Sequence, residues 1–263
     1  FGQFIDTDSA IHRLDPRTKL LYLIAYIVLI FSAGNFLTLA LLTLFLAVLI
    51  PLSKIPFKMY LKNIKTILPI IIITALLNMF YAGGGTVIFK WWVFTLTVGG
   101  IERAAFMSLR IILLILSSAI LSYTTSPTSL TAAIESLLKP LSLLGLGNAV
   151  HTMAMTMTIA LRFIPTLIEE TQKIMNAQKA RGADLENGRL SERVKALIPI
   201  LIPLLISSVR RAYELAEAME CRCYNGGEGR TRMKQLRTAP RDYAVFACAL
   251  AICGGIITLN IIF

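Results

Sequence analysis

The chain holds 263 residues, of which 56% are hydrophobic and only 16% charged, with a mean hydropathy of +0.71. Soluble domains average about 45–50% apolar and about 25% charged, so this composition lies on the membrane side and excludes disorder, collagen and small disulfide scaffolds. Lys and Arg number 26 against 15 Asp and Glu, and the resulting +11 has to sit somewhere other than hydrocarbon.

A spanning helix needs about 20 mostly apolar residues. Leu20–Ala33 begins the first such run, and Gly34-Asn35 separates it from the second, Phe36–Leu52. Ile64–Ala82 is the third and carries Pro69 in its first turns. Glu102–Tyr123 is the fourth, with Arg103 and Arg110 seven residues apart on one face. Tyr243–Phe263 is the last. The predicted fold class is an all-α integral membrane protein with about five transmembrane helices and a three-helix cytoplasmic or interfacial region. Its parts are residues 1–123 with four spans, 124–241 as the cytoplasmic region, and 242–263 as the C-terminal span.

With the N-terminus cytoplasmic, segments 1–19, 53–65 and 124–241 hold 23 of the 26 basic residues. The outer loop Gly83–Ile101 keeps only Lys90. Bias of this strength sets the orientation, so the positive excess is first a topology signal. Basic loops also favour anionic headgroups, at about 1 kcal/mol per residue. Nucleic acid is not an expected partner, because acidic residues interleave with the basic ones and no nucleic-acid motif is present. No cleavable signal peptide is visible, and as the chain starts at Phe1 an initiator region is expected to precede it. Cys221 and Cys223 fall in the cytoplasmic part, where thiols stay reduced, while Cys248 and Cys253 read as small packers in a membrane helix.

Three helices are predicted between the fourth and last spans. Ser126 caps the first, with Pro127 at its first position, and it runs over Thr128–Leu144. The second covers Ala149–Arg181 and is closed by Gly182. The third runs from Ser191 to Cys223. The second and third each begin apolar and end charged. Ala149–Ile168 is rich in Thr and Met and includes His151 and Arg162; Ala196–Val209 gives 14 clean residues and contains Pro199 and Pro203, which should bend it. Both are read as surface-lying helices with one apolar face, the alternative being two poorly scoring spans.

Their ends resemble each other. Ala177-Gln-Lys-Ala180-Arg181-Gly182 aligns with Ala218-Met-Glu-Cys221-Arg222-Cys223 at an offset of 41 residues. For either alone, an arginine answering the helix dipole before a cap suffices. Two copies with small flanking residues instead leave each guanidinium open for a partner to close around its five donors. A straight helix from Ser191 to Arg222 is about 46 Å long, so the short link 183–190 places the two arginines at opposite ends.

With these motifs, His12-Arg-Leu-Asp-Pro-Arg-Thr-Lys19, Ala160-Leu-Arg-Phe-Ile-Pro165 and Arg230-Thr-Arg232, the whole chain resembles the transmembrane T component (EcfT family) of energy-coupling factor transporters. The resemblance implies a non-catalytic subunit of an ATP-driven importer in the bacterial or archaeal cell membrane. Its partners would be two ABC-type ATPases, as a homodimer or heterodimer, and a small substrate-binding membrane protein, the S component. It implies ATPase docking by Ala180, Arg181 and Gly182 and by Cys221, Arg222 and Cys223. Met153, Met157, Leu161, Ile164, Leu201 and Leu205 would contact the S component, and Met153, Met155, Met157 and Met175 suit an adaptable surface, with plain packing as the alternative. The cargo class it implies is micronutrients, most often water-soluble vitamins, with cobalt or nickel in dedicated systems. No cofactor and no metal site is expected. The second motif departs from the family's Ala-Arg-Gly, because Cys223 lacks glycine's ease at positive φ.

Two other classes give weaker readings. An intramembrane enzyme lacks its parts: Glu169-Glu170 is followed by Ile174 where a prenyl protease has Arg, and there is no rhomboid Gly-x-Ser-Gly and no Walker A sequence. A stand-alone secondary transporter would use Arg103 and Arg110 as pathway charges with Glu102 as counter-ion. A structural role is preferred for both arginines, Arg103 snorkelling outward and Arg110 pairing with backbone or a neighbouring helix.

Overall fold

The computed structural model describes residues 4–5, 7–81, 87–91, 94–140, 145, 147–183, 190–226, 242–243, 254–255 and 258. Among them are seven α-helices and one short hairpin: α1 Pro16–Ser32, α2 Phe36–Leu52, α3 Phe57–Tyr81, β1 Val87–Trp91, β2 Phe94–Thr97, α4 Val98–Thr124, α5 Pro127–Leu138, α6 Gly147–Ala180 and α7 Leu190–Glu220. The chain is an all-α integral membrane protein apart from that hairpin, whose antiparallel strands pair Val87 with Thr97 and Trp91 with Phe94. Ile134–Lys234 form one compact unit, and Gly2–Ala133 with Gln235–Phe263 form the other; α5 straddles the division.

Local chemistry sets the helix starts. Pro16 occupies the first turn of α1, and the Asp15 carboxylate accepts from the Arg17 amide at 2.9 Å. The Thr97 hydroxyl caps α4 by accepting from the Gly100 amide at 3.1 Å. Ser126 caps α5 as expected, accepting from the Ser129 amide at 3.3 Å with Pro127 at the first position. The expected end at Leu144 is not reached: α5 stops at Leu138 and Lys139-Pro140 form a tighter turn, because a proline disfavours the α conformation in the residue before it. α3 starts seven residues before the predicted Ile64, since hydropathy locates the hydrocarbon-facing part of a helix and not its Lys-bearing extension. Pro69 lies inside it without ending it.

In the unit built on α1–α4, the core is where these helices meet. Ile30, Leu39, Leu42 and Tyr60 are fully buried, and Leu113 nearly so. Leu39, Leu42 and Leu46 recur at helical spacing on one face of α2. The remaining apolar residues face outward: Val28, Leu44 and Ile70 are each more than half exposed, as helices apolar all round require a bilayer about them. Two tyrosine hydroxyls in this core find partners. The Tyr26 hydroxyl donates to the Leu42 carbonyl at 3.0 Å, and the Tyr60 and Ser53 hydroxyls lie 3.0 Å apart. α3 and α4 approach closely at Gly100, where a Cβ would lie 2.5 Å from the Met79 carbonyl oxygen.

Arg110 makes the backbone contact expected of it. Its guanidinium donates to the Ala33 carbonyl, the C-cap of α1, at 2.7 Å and lies 4.8 Å from the Phe106 ring centroid. Arg103 is exposed.

Phe57–Phe80, Val98–Thr124 and Val194–Glu220 are long and apolar enough to cross a membrane. α1 and α2 have 17 residues each, short of about 20. The predicted span Tyr243–Phe263 lies almost wholly outside the described residues. The third candidate lies in α7, for which a span is the alternative to a surface-lying helix. That helix stays continuous through Pro199 and Pro203, so its apolar first half joins the following turns into one span-length segment.

Candidate functional site

The unit Ile134–Lys234 is organised by α6 and α7, which run antiparallel. Glu170 of α6 meets Ser207 and Arg211 of α7, and Met155 of α6 meets Tyr224 just beyond α7. This antiparallel arrangement puts the C-terminal ends of the two helices, and with them Arg181 and Arg222, at opposite ends of the pair.

The two ends are built alike. At the end of α6, the Gly182 amide donates to the Lys179 carbonyl at 3.0 Å and the Ala183 amide to the Gln178 carbonyl at 3.0 Å. At the end of α7, the Cys223 amide donates to the Glu220 carbonyl at 2.8 Å and the Tyr224 amide to the Met219 carbonyl at 3.0 Å. Both are Schellman caps, which need a left-handed residue after the last helical turn. Gly182 supplies it at φ 86° and Cys223 at φ 55°. Cys223 therefore adopts the conformation for which glycine is suited, and the departure from Ala-Arg-Gly leaves the cap geometry intact. Ala180, Arg181 and Gly182 are all exposed, as are Cys221, Arg222 and Cys223. Each arginine thus ends a rigid rod, its donors facing outward between small neighbours.

The residues expected to contact an S component divide in two. Met153 and Met157 on α6 are 51% and 42% exposed, and Leu201 and Leu205 on α7 are 56% and 65% exposed. Leu161 and Ile164 are half-buried. Sequence reasoning missed most of the apolar face of α7. Val194, Leu197, Ile198, Ile202, Ile206 and Val209 join Leu201 and Leu205 in an exposed stripe at three- and four-residue spacing, and Tyr213 continues it. That spacing was the available signal. Ile200, 3% exposed, belongs to the packed side of the helix instead.

Also missed was the polar contact between the helices. The Arg211 guanidinium donates to one Glu170 carboxylate oxygen at 2.7 Å, and the Ser207 hydroxyl donates to the other. His151, read within the second helix, has its Nδ1 3.5 Å from the Glu135 carboxylate of α5. Cys221 and Cys223 are free thiols, and the described residues contain no group of three or more His, Cys, Asp or Glu placed to hold a metal ion.

The His12–Lys19 motif is an anchor in the other unit. The His12 ring binds the Ser9 hydroxyl at 2.7 Å and the Ile5 carbonyl at 3.0 Å. Lys19, 8% exposed, donates to the Thr124 carbonyl at 2.9 Å and the His12 carbonyl at 3.3 Å. The Asp15 amide donates to the Asp242 carboxylate at 3.0 Å, so the motif ties the end of α4 and the segment at 242 to the start of α1. Arg13 pairs with exposed Asp8 and holds its carboxyl below the usual carboxylate range.

Known proteins resemble this chain along nearly its whole length. A family model described as CbiQ, cobalt transport protein, matches residues 7–233. An energy-coupling factor transporter transmembrane protein EcfT from Clostridium kluyveri is 50% identical over 252 residues, covering 95% of this chain and 93% of the relative. One of the same description from Ruminiclostridium cellulolyticum is 46% identical over 262 residues, covering 100% and 97%, and one from Bacillus subtilis is 43% identical over 251 residues, covering 95% and 94%. Similarity at this level along nearly the full length of both chains shows the family: the chain belongs to the EcfT family, the transmembrane proteins of energy-coupling factor transporters.

Proposed function

We propose that this chain is the energy-coupling scaffold of an ATP-driven importer in the cell membrane, multi-pass and with its N-terminus cytoplasmic. It links two ABC-type ATPases to a small substrate-binding S component, and ATP is hydrolysed by the ATPases. The observation that carries this reading is the pair of matching caps. Each presents an exposed arginine at the end of a long helix, and the two helices are antiparallel, so two similar partners can each take one tip. Ala180 and Gly182, and Cys221 and Cys223, flank the arginines closely enough to enter a partner groove with them.

The exposed stripe of α7, with Met153 and Met157 of α6, is the face proposed for the S component. ATP binding draws the ATPases together, the tips move with them, and the stripe reorients the S component. Arg181 and Arg222 must contact the ATPases differently in the two states, since equal contacts shift no equilibrium. The proposed cargo is a micronutrient of the water-soluble vitamin class. The description of the matching family model favours cobalt as the second reading, and uptake of labelled vitamins and labelled cobalt by the complex decides between them.

The test of docking is the Arg181→Glu, Arg222→Glu double variant, assayed for ATPase co-purification and for uptake. Loss of both is expected. Retention of both would remove the docking role.

A further inference from the structure

Glu170 and Arg211 are 41 residues apart, the same offset that relates Arg181 to Arg222. They are therefore equivalent positions of two like helices. Each lies 11 residues, about 16 Å of helix, before its own exposed arginine. The match extends to their neighbours with the charge reversed: Glu169-Glu170 on α6 stands where Arg210-Arg211 stands on α7. Like charges at equivalent positions would repel where the helices meet, and opposite charges attract.

The contact is specific in geometry. One Glu170 carboxylate oxygen accepts from the Arg211 guanidinium at 2.7 Å and the other from the Ser207 hydroxyl. Ser207 and Arg211 are one turn apart on α7, so two bonds to one carboxylate fix the rotation of α6 against α7 as well as their separation. The Arg211 and Glu170 side chains are 32% and 21% exposed, which screens the pair less than an open surface pair.

We propose that Glu170 and Arg211, with Ser207, form the pivot of the helix pair. They are positioning residues that hold two arms of equal length, so that displacement of one arginine tip turns the other arm instead of sliding one helix past its neighbour. The pivot rests on the docking roles proposed for Arg181 and Arg222 for its meaning in transport, but its mechanical content concerns this chain alone.

The experiment uses the full chain in lipid nanodiscs, alone and in complex with co-expressed ATPases and S component. In the chain alone, nitroxide labels at Ala177→Cys and Ala218→Cys, exposed equivalent positions outside the docking residues, with the native cysteines replaced by serine, report the tip-to-tip distance by pulsed EPR. Glu170→Ala and Arg211→Ala are each expected to broaden the distance distribution about twofold, and the charge-swapped pair Glu170→Arg, Arg211→Glu to narrow it again, as coupled neighbours do in a double-mutant cycle. In the complex, transport per ATP hydrolysed should fall about tenfold in the single variants and recover in the swapped pair, while ATPase co-purification stays within about twofold. Unchanged distances, unchanged transport per ATP, or a folded swapped pair that fails to recover would each overturn the pivot. If the alanine variants do not fold, Glu170→Gln keeps the shape and loses the charge, and the same broadening is required of it. The docking reading fails separately, when Arg181→Glu and Arg222→Glu leave co-purification intact whatever the tip distances show.

Discussion

Gly182 and Cys223 share a left-handed backbone, φ 86° and 55°, at matching places in two helix caps 41 residues apart. The hydrogen bonds around them match residue for residue, so the cap rather than the side chain is what the two sites have in common. A non-glycine residue in that region costs about 1–2 kcal/mol. Gly182→Ala is therefore expected to lower stability by about 1 kcal/mol, since open space around Gly182 leaves backbone strain as the whole effect. Cys223→Gly relieves the strain but adds freedom to the unfolded chain, so its gain is less than about 1 kcal/mol. Thermal unfolding in detergent measures both, and ATPase co-purification should survive Cys223→Gly.

Gly100 serves a different need. A Cβ there would lie 2.5 Å from the Met79 carbonyl oxygen, and that atom is backbone in the last turn of α3. Gly100→Ala must push α4 off α3, at a cost of about 1–3 kcal/mol typical of overpacking. A fall in unfolding midpoint is expected; an unchanged one would mean the helices do not meet as closely as here.

Lys19 donates its ammonium to two backbone carbonyls, one at the end of α4. Lys19→Met keeps the apolar stem and removes both bonds. Hydrogen bonds to charged groups are worth about 1.5–3 kcal/mol, so a loss of about that size is expected in unfolding measurements. Lys19→Arg should recover part of it.

How far these features were legible in the sequence depends on the range of the interaction behind them. The bounds of α2 could be read directly, because Asn35 and Ser53 bracket an unbroken apolar run. So could the Ser126-Pro127 start of α5, a cap made by neighbours in the chain. The start of α3 was obscured by its lysines, which hydropathy counts against a span although they are good helix formers. The hairpin at 87–97 gave no period long enough to notice. The arginine tips showed through the 41-residue offset, but the offset alone did not reveal that Glu170 and Arg211 touch, as that depends on how α6 and α7 fold back on each other. The φ of Cys223 ran against local preference and is set by the cap as a whole.

The exposed stripe of α7 separates partner contact from stability. Leu201 and Leu205 are more than half exposed and touch little of this chain, and surface changes of that kind usually shift stability by no more than about 0.5 kcal/mol. Leu201→Ala with Leu205→Ala keeps this face apolar and is expected to leave the unfolding midpoint and ATPase co-purification nearly unchanged while reducing S-component co-purification at least about tenfold, since a leucine side chain buried at an apolar interface contributes about 1.5–3 kcal/mol. Equal loss of both partners would instead point to a disrupted helix.

Arg110 distinguishes a scaffold from a stand-alone carrier. A pathway charge must be free to meet its substrate, whereas this guanidinium is committed to the Ala33 carbonyl at 2.7 Å and stacked near Phe106. Arg110→Met removes a charge-assisted bond and leaves the α1 cap unsatisfied, with an expected loss of about 1.5–3 kcal/mol. Arg110→Lys can still donate but cannot present the planar fork, so it should recover only part. In complexes that remain folded below their lowered midpoint, transport per ATP hydrolysed should match the unaltered protein. If Arg110→Met abolishes transport while the midpoint stays put, the residue is working on substrate, and the scaffold reading of this helix is wrong.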